Sequence, residues 1–262
     1  MLSWLLARLE TYQLYYPTPL RGETPDRWGL PYEDVRIDSG SAVLQAWWVP
    51  RPEPEAPLLL FLHGNAGNRE DRLHNVQGLW RAGSSVLIVD YRGYGGSTGA
   101  PSEQGLLADG LASFDWLAAR HPGRPIAIFG RSLGAAVAAH VAANRPAAGL
   151  ILESAFTSAP DLAERLYPVP GLRHLVRSRY DTLSSLRTLK IPLLLIHGTR
   201  DELVPFDMGR TLFEASPSPD KAFHAVKDGR HNDTYLLAGE EYWRWIKDFL
   251  ERIRRGPPRD QR

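Results

Sequence analysis

Short, continuous apolar runs recur along this chain, and that rhythm constrains its fold more than any other feature. The runs lie at 58–62, 85–89, 126–129, 149–152, 192–196 and 222–226, and turn residues bound each one. Apolar stretches of this length without alternation fit strands covered by helices on both faces. Helical patterns fill the intervals near 69–82, 102–120, 133–144, 206–215 and 239–254. Such alternation demands crossover connections and therefore a mostly parallel sheet. Ahead of it, 35–38 and 42–49 flank Ser39-Gly40 and read as an antiparallel hairpin at the sheet edge. The stretch 51–57, rich in proline and glutamate, is a stiff polar link into the core.

No break in composition divides the 262 residues. The expected organisation is a helical or extended segment over 1–30, one α/β domain over 31–253 and a flexible tail over 254–262, where Pro257-Pro258 would interrupt a helix. Residues 154–190 break the alternation and carry Pro160, Pro168, Pro170 and Gly171. A connection this long at the active edge of a sheet reads as a small cap.

Composition excludes several classes of function. A net charge of +1 leaves no electrostatic footprint for nucleic acid. The absence of cysteine removes disulfides, thiol catalysis and thiolate zinc sites, and it fits a reducing, cytoplasmic compartment. The eight histidines show no metal-ligand spacing. No apolar stretch reaches the length of a membrane-spanning helix. Leu2, Leu5, Leu6 and Leu9 share one helical face, but the segment lacks the basic leader and small-residue cleavage site of a signal peptide. The favoured reading is a helix packed on its own domain. The second is an interfacial anchor, with Trp4 and the tyrosines 12, 15 and 16 at headgroup level, which would give a peripheral membrane contact.

The chemistry is concentrated at strand ends. Gly130-Arg131-Ser132-Leu133-Gly134 follows the run 126–129 and precedes a small-residue helical pattern. A strand turning sharply into a helix exposes a serine hydroxyl at the top of a sheet, and only small neighbours permit that turn. Serine needs a base within hydrogen-bond reach, and the base needs an orienting acid. His231 follows the run 222–226 and Asp201 follows 192–196, so both lie at the same edge of the predicted sheet. Glu153, at the end of 149–152, is the rival acid. The order Ser132, Asp201, His231 is the order found on α/β-hydrolase folds.

An acyl-transfer site also needs two backbone N–H groups aimed at the developing oxyanion. The expected donors are Leu133, next to the nucleophile, and Asn65 in the loop His63-Gly64-Asn65-Ala66-Gly67. His63 is expected to bond the loop backbone. The glycines of 91–97 match no phosphate-binding spacing and read as a structural loop bordering the site. Phe156, Leu203 and Val204 are the expected apolar walls for substrate. This chemistry calls for no metal or organic cofactor.

In these motifs the chain resembles the α/β-hydrolase superfamily, and more closely its small serine hydrolases of the Bem/ABHD type. The resemblance runs in order from about 32 to 250, through His63–Asn68, Asp90–Gly95, Gly130–Gly134, Glu153–Ser158, His197–Glu202 and His231–Asp233. It implies a Ser-His-Asp ester or thioester hydrolase, with Ser132, Asp201 and His231 in the triad roles. Small to medium acyl substrates are expected from the apolar loop walls and the lack of a cationic cluster, since substrate identity does not transfer with the fold. Relatives often carry an N-terminal hydrophobic anchor, whereas this chain's apolar segment is too short to span a membrane. Two other readings compete: a serine peptidase of prolyl-oligopeptidase type, and a non-catalytic hydrolase fold that binds a ligand.

Overall fold

The computed structural model describes residues 14–167 and 169–255. Eight strands form one sheet: β1 (Glu33–Ser39), β2 (Ala42–Val49), β3 (Leu58–Leu62), β4 (Ser85–Val89), β5 (Ile126–Arg131), β6 (Gly149–Glu153), β7 (Leu193–Gly198) and β8 (Lys221–Val226). Their spatial order is β8-β7-β6-β5-β3-β4-β2-β1. From β8 to β4 every neighbouring pair is parallel. The hairpin β1–β2 closes the edge antiparallel, with β2 antiparallel to β4. The expected fold holds: a mostly parallel sheet with an N-terminal hairpin.

The helices are α1 (Leu73–Arg81), α2 (Glu103–Arg120), α3 (Leu133–Asn144), α4 (Ala159–Leu166), α5 (Leu172–Leu175), α6 (Thr182–Leu186), α7 (Phe206–Ala215), α8 (Thr234–Ala238) and α9 (Glu240–Arg255). They cover both faces because successive strand residues point to opposite sides. Leu58, Leu60 and Leu62 of β3 enter one core with α2, α3 and α7. Leu59 and Phe61 enter the other, with Leu73, Val76 and Leu79 of α1 and Ile246, Phe249 and Ile253 of α9. Burial on both faces explains why these strands carry no polar alternation. Helix α3 is built mostly of alanine and valine and is buried nearly all round, so it lies close against the sheet.

The chain runs from β3 outward to β4, then returns past β3 to form β5. Connections leaving β3 and β5 therefore diverge, and such a switch point opens a crevice at the carboxyl ends of the strands.

The segment 154–190 holds the three short helices α4, α5 and α6. Its return arm is tied to the body, since Glu103 at the start of α2 accepts from Arg179 N–H at 2.8 Å, and to the segment's own first residues, where Leu183 N–H donates to Thr157 O at 3.0 Å. Tyr180 is buried, its hydroxyl 2.7 Å from that of Tyr15. Leu166, Tyr167, Val169 and Leu175 on the outward arm are exposed. Helix α9 runs on to Arg255, two residues into the stretch read from sequence as a tail. The apolar face of 1–9 and residues 256–262 lie outside the described residues. Among the described residues no helix is long and apolar enough to cross a membrane.

Candidate active site

Ser132 sits between β5 and α3 with φ 54° and ψ −119°, a conformation that L residues rarely adopt. Its neighbours show why the turn needs glycine. A Cβ on Gly130 would stand 2.3 Å from Gly134 O and 2.5 Å from Ala138 Cβ, and one on Gly134 would stand 2.1 Å from Leu62 O. The turn is pinned from the next strand, since Ser132 N–H donates to Glu153 O at 2.9 Å.

The three strand-end residues converge. His231 Nε2 lies 3.0 Å from Ser132 Oγ, and His231 Nδ1 lies 2.9 Å from each carboxylate oxygen of Asp201. A carboxylate only accepts, so Nδ1 carries the proton and Nε2 presents its lone pair to the serine hydroxyl. Asp201 also accepts from Leu203 N–H at 3.0 Å and Val204 N–H at 2.8 Å, which folds its own loop around the carboxylate. Burial raises the Asp201 carboxyl, but bonding and charge from His231, together with the Val204 N–H, outweigh it and hold the carboxyl below its ordinary range. Beneath it, His197 donates through Nε2 to Val204 O at 2.9 Å. Burial pushes the His197 imidazole down and keeps it neutral beside the acid.

Glu153, the rival acid, is fully buried and engaged elsewhere. Its carboxylate accepts from Thr234 Oγ1 and from the Tyr242 hydroxyl at 3.0 Å, and it lies 3.3 Å from Arg131 Nε. It makes no hydrogen bond to the His231 ring among the described residues.

The loop after β3 passes over the serine. An added Cβ on Gly64 would meet Ser132 Cβ at 3.5 Å. His63 is fully buried, and its Nδ1 donates to Gly64 O at 2.7 Å, the backbone bond expected of it. Burial, reinforced by the nearby Arg72 charge, pushes its imidazole down to about 3. Asn65 O accepts from Tyr94 hydroxyl at 2.8 Å and Tyr16 N–H at 3.0 Å. Tyr91 hydroxyl donates to His63 O at 3.1 Å. The loop 91–97 thus braces the loop that carries Asn65. The sequence marked 91–97 as a neighbour of the site but missed the roles of Tyr91 and Tyr94, whose signal is their spacing of three in a turn.

Among the residues expected to line a substrate path, Phe156 and Val204 are packed in the core at 4% and 2% exposure, while Leu203 is 47% exposed. Leu236 and Leu237 in α8, just beyond His231, are also exposed, and sequence reasoning did not single them out. Two open surface grooves of about 410 and 390 Å³ lie along α1 and α9, and neither is lined by Ser132, Asp201 or His231. No group of three or more acidic or histidine side chains is placed to hold a metal among the described residues.

Residues 53–180 and 159–234 match a family model described as serine aminopeptidase, S33. The α/β hydrolase domain-containing protein WAV2 of Arabidopsis thaliana is 38% identical over 251 residues, covering 87% of this chain and 82% of that one. Protein bem46 of Schizosaccharomyces pombe is 35% identical, covering 87% and 79%. The lysophosphatidylserine lipase ABHD12 of Rattus norvegicus is 30% identical, covering 84% of this chain and 65% of that protein. Among solved structures, an esterase of Pyrococcus furiosus superposes with a TM-score of 0.77 at 23% identity, covering 92% and 98%. That last likeness is one of fold.

Proposed function

This chain belongs to the α/β-hydrolase superfamily and is a hydrolase of that type, and we propose that it is a serine hydrolase cleaving carboxylic ester or thioester bonds of small to medium acyl substrates. The observation that carries this reading is the contact chain Ser132 Oγ, His231 Nε2, His231 Nδ1, Asp201 carboxylate, with polar distances of 3.0 and 2.9 Å.

Chemistry follows from those contacts. Ser132 Oγ attacks the acyl carbon while His231 Nε2 takes its proton. Asp201 holds the imidazole tautomer and stabilises the imidazolium. The N–H groups of Leu133 and Asn65 receive the oxyanion, each donor typically worth about 3–4 kcal/mol in the transition state. His231 then protonates the departing alcohol or thiol. Water, deprotonated by His231, releases the acid from the acyl-enzyme. Leu203 supplies an apolar wall over the acyl chain, backed by Phe156 and Val204. Exposed Leu236 and Leu237 extend that apolar rim beyond the base.

The test is hydrolysis of p-nitrophenyl esters from two to twelve carbons by wild type and Ser132→Ala. Turnover in the first and none in the second is the expected result. Equal turnover in both would remove Ser132 from the mechanism. The aminopeptidase description of the matching family model favours a second reading, cleavage of an amino-terminal peptide bond by the same three residues. Aminoacyl anilides beside the esters separate the two.

A further inference from the structure

Arg131 and Glu153 close β5 and β6 as register partners, side by side in the parallel sheet. Each is a charged residue terminating an apolar strand, and they are only 5% and 0% exposed. From Arg131, the guanidinium Nη2 donates to His231 O and, at 3.1 Å, to Asn232 Oδ1. From Glu153, the carboxylate accepts from Thr234 Oγ1 and, at 3.0 Å, from Tyr242 hydroxyl. Together the pair holds three positions of the loop 231–234 and the start of α9 behind it. The same two residues bracket the serine: Arg131 precedes it in the chain, and the Glu153 carbonyl accepts the Ser132 N–H at 2.9 Å.

We propose that Arg131 and Glu153 are positioning residues that fix the distance between nucleophile and base, an inference that rests on the Ser132–His231 reading above. Sheet register sets the two side chains opposite each other. Their fixed heads then carry that register across to a loop that has left the sheet, so His231 is placed relative to Ser132 through rigid strand ends. Burying an ion pair is a poor device for stability, and specifying one geometry is its better-attested use. Here the geometry specified would be that between Ser132 Oγ and His231 Nε2. Neither residue touches substrate in this scheme.

The experiment measures ester hydrolysis, fluorophosphonate labelling of Ser132 and thermal melting together. The variants are Arg131→Met/Glu153→Gln, Arg131→Lys, Asn232→Ala and Ser132→Ala. Removing both charges avoids an unpaired buried ion, and thermal melting reads whether the double variant keeps its fold. A displaced catalytic group costs on the order of 10²-fold, so the expected loss in the double variant is about 10² in kcat and in labelling rate, with KM within about twofold. Arg131→Lys, which keeps a donor and a charge, should recover part of that loss. Asn232→Ala removes one exposed acceptor of Arg131 while leaving the Arg131–Glu153 pair itself and the His231 O contact in place, and should lower kcat several-fold at little-changed melting temperature. Wild-type kcat in a folded double variant would overturn the proposal, as would losses that vanish when the assay is run well below the variant's melting temperature. If Ser132→Ala itself retained turnover, the triad reading would fall first, and that outcome is read separately from the clamp.

Discussion

His63 Nδ1 donates to the carbonyl oxygen of the very next residue, Gly64, across 2.7 Å. The peptide that carries this carbonyl also carries the Asn65 N–H, and in a trans peptide the two point in opposite directions. Holding Gly64 O toward the buried imidazole therefore aims Asn65 N–H away from it. The following peptide is held by Tyr94 and Tyr16 on Asn65 O. Both peptides flanking Asn65 are thus fastened before any substrate arrives.

One consequence is kinetic. Tyr94→Phe deletes one bond to Asn65 O and leaves the ring in place. A single hydrogen bond of this kind is worth about 1 kcal/mol, which corresponds to roughly fivefold in rate. The expected outcome is a kcat lowered by about that factor with little change in KM, read from steady-state ester hydrolysis. An unchanged kcat would show that the Tyr16 contact suffices to hold the loop.

The two carboxylates near the base should differ sharply in their effect. Asp201→Asn leaves the shape of the loop but removes the acceptor that fixes the His231 tautomer, and the expected loss is about 10⁴ in kcat. Glu153→Gln should cost far less, because its carboxylate faces Arg131, Thr234 and Tyr242 rather than the imidazole. Should Glu153→Gln prove the more damaging change, the acid would be Glu153.

Stability should fall on mild acidification. The His63 ring titrates near 6.5 in an unfolded chain, and burial holds it down to about 3 in the fold. Between those values the unfolded chain binds a proton that the folded chain does not. The stability is present above 6.5 and is lost as pH falls toward 3, by up to about 1.4 kcal/mol per pH unit for one such group. His197 is pushed the same way by burial. Asp201, held below the carboxylate range, adds a loss of the same sign at lower pH. Urea midpoints from pH 7.5 to 4.5 should therefore decline. A His63 resonance titrating near 6.5 in the native protein would contradict this account.

Gly134→Ala should destabilise the whole molecule rather than impair turnover alone. The new methyl group would meet backbone oxygens of Leu62 and His63 at 2.1 and 2.4 Å, and backbone gives way less readily than a side chain. The expected cost is at least about 1–3 kcal/mol, read as a lowered melting temperature. A melting temperature equal to wild type would mean that α3 moves more freely than its burial implies.

Much of this architecture was legible because burial on both faces leaves a plain mark: β3 to β7 are buried apolar runs, the half-exposed edge strand β8 also followed one, and each strand starts within one residue of its run and extends it by at most two residues at the carboxyl end. Ser132, Asp201 and His231 could be named because each follows such a run, and parallel strands bring those ends to one edge. What stayed hidden depended on sheet order. Arg131 and Glu153 lie 22 positions apart, and nothing local says that β5 and β6 are neighbours in a register that sets them opposite. Both did carry a signal, a lone charge closing an apolar strand. The roles of Phe156, Leu203 and Val204 were harder still, since an apolar side chain packed in a core and one lining a path look alike in a sequence.

The backbone of Ser132 has a further consequence. Its φ of 54° is not a shape the free chain prefers, so the turn persists only while β5, α3 and the Glu153 carbonyl enclose it. On the proposed mechanism, the reactive hydroxyl is therefore a property of the assembled sheet rather than of the pentapeptide. A nascent or damaged copy of this chain would carry the same serine without the reactivity proposed for it. Labelling by an active-site probe would then count intact molecules, and chemistry would be withheld until folding is complete.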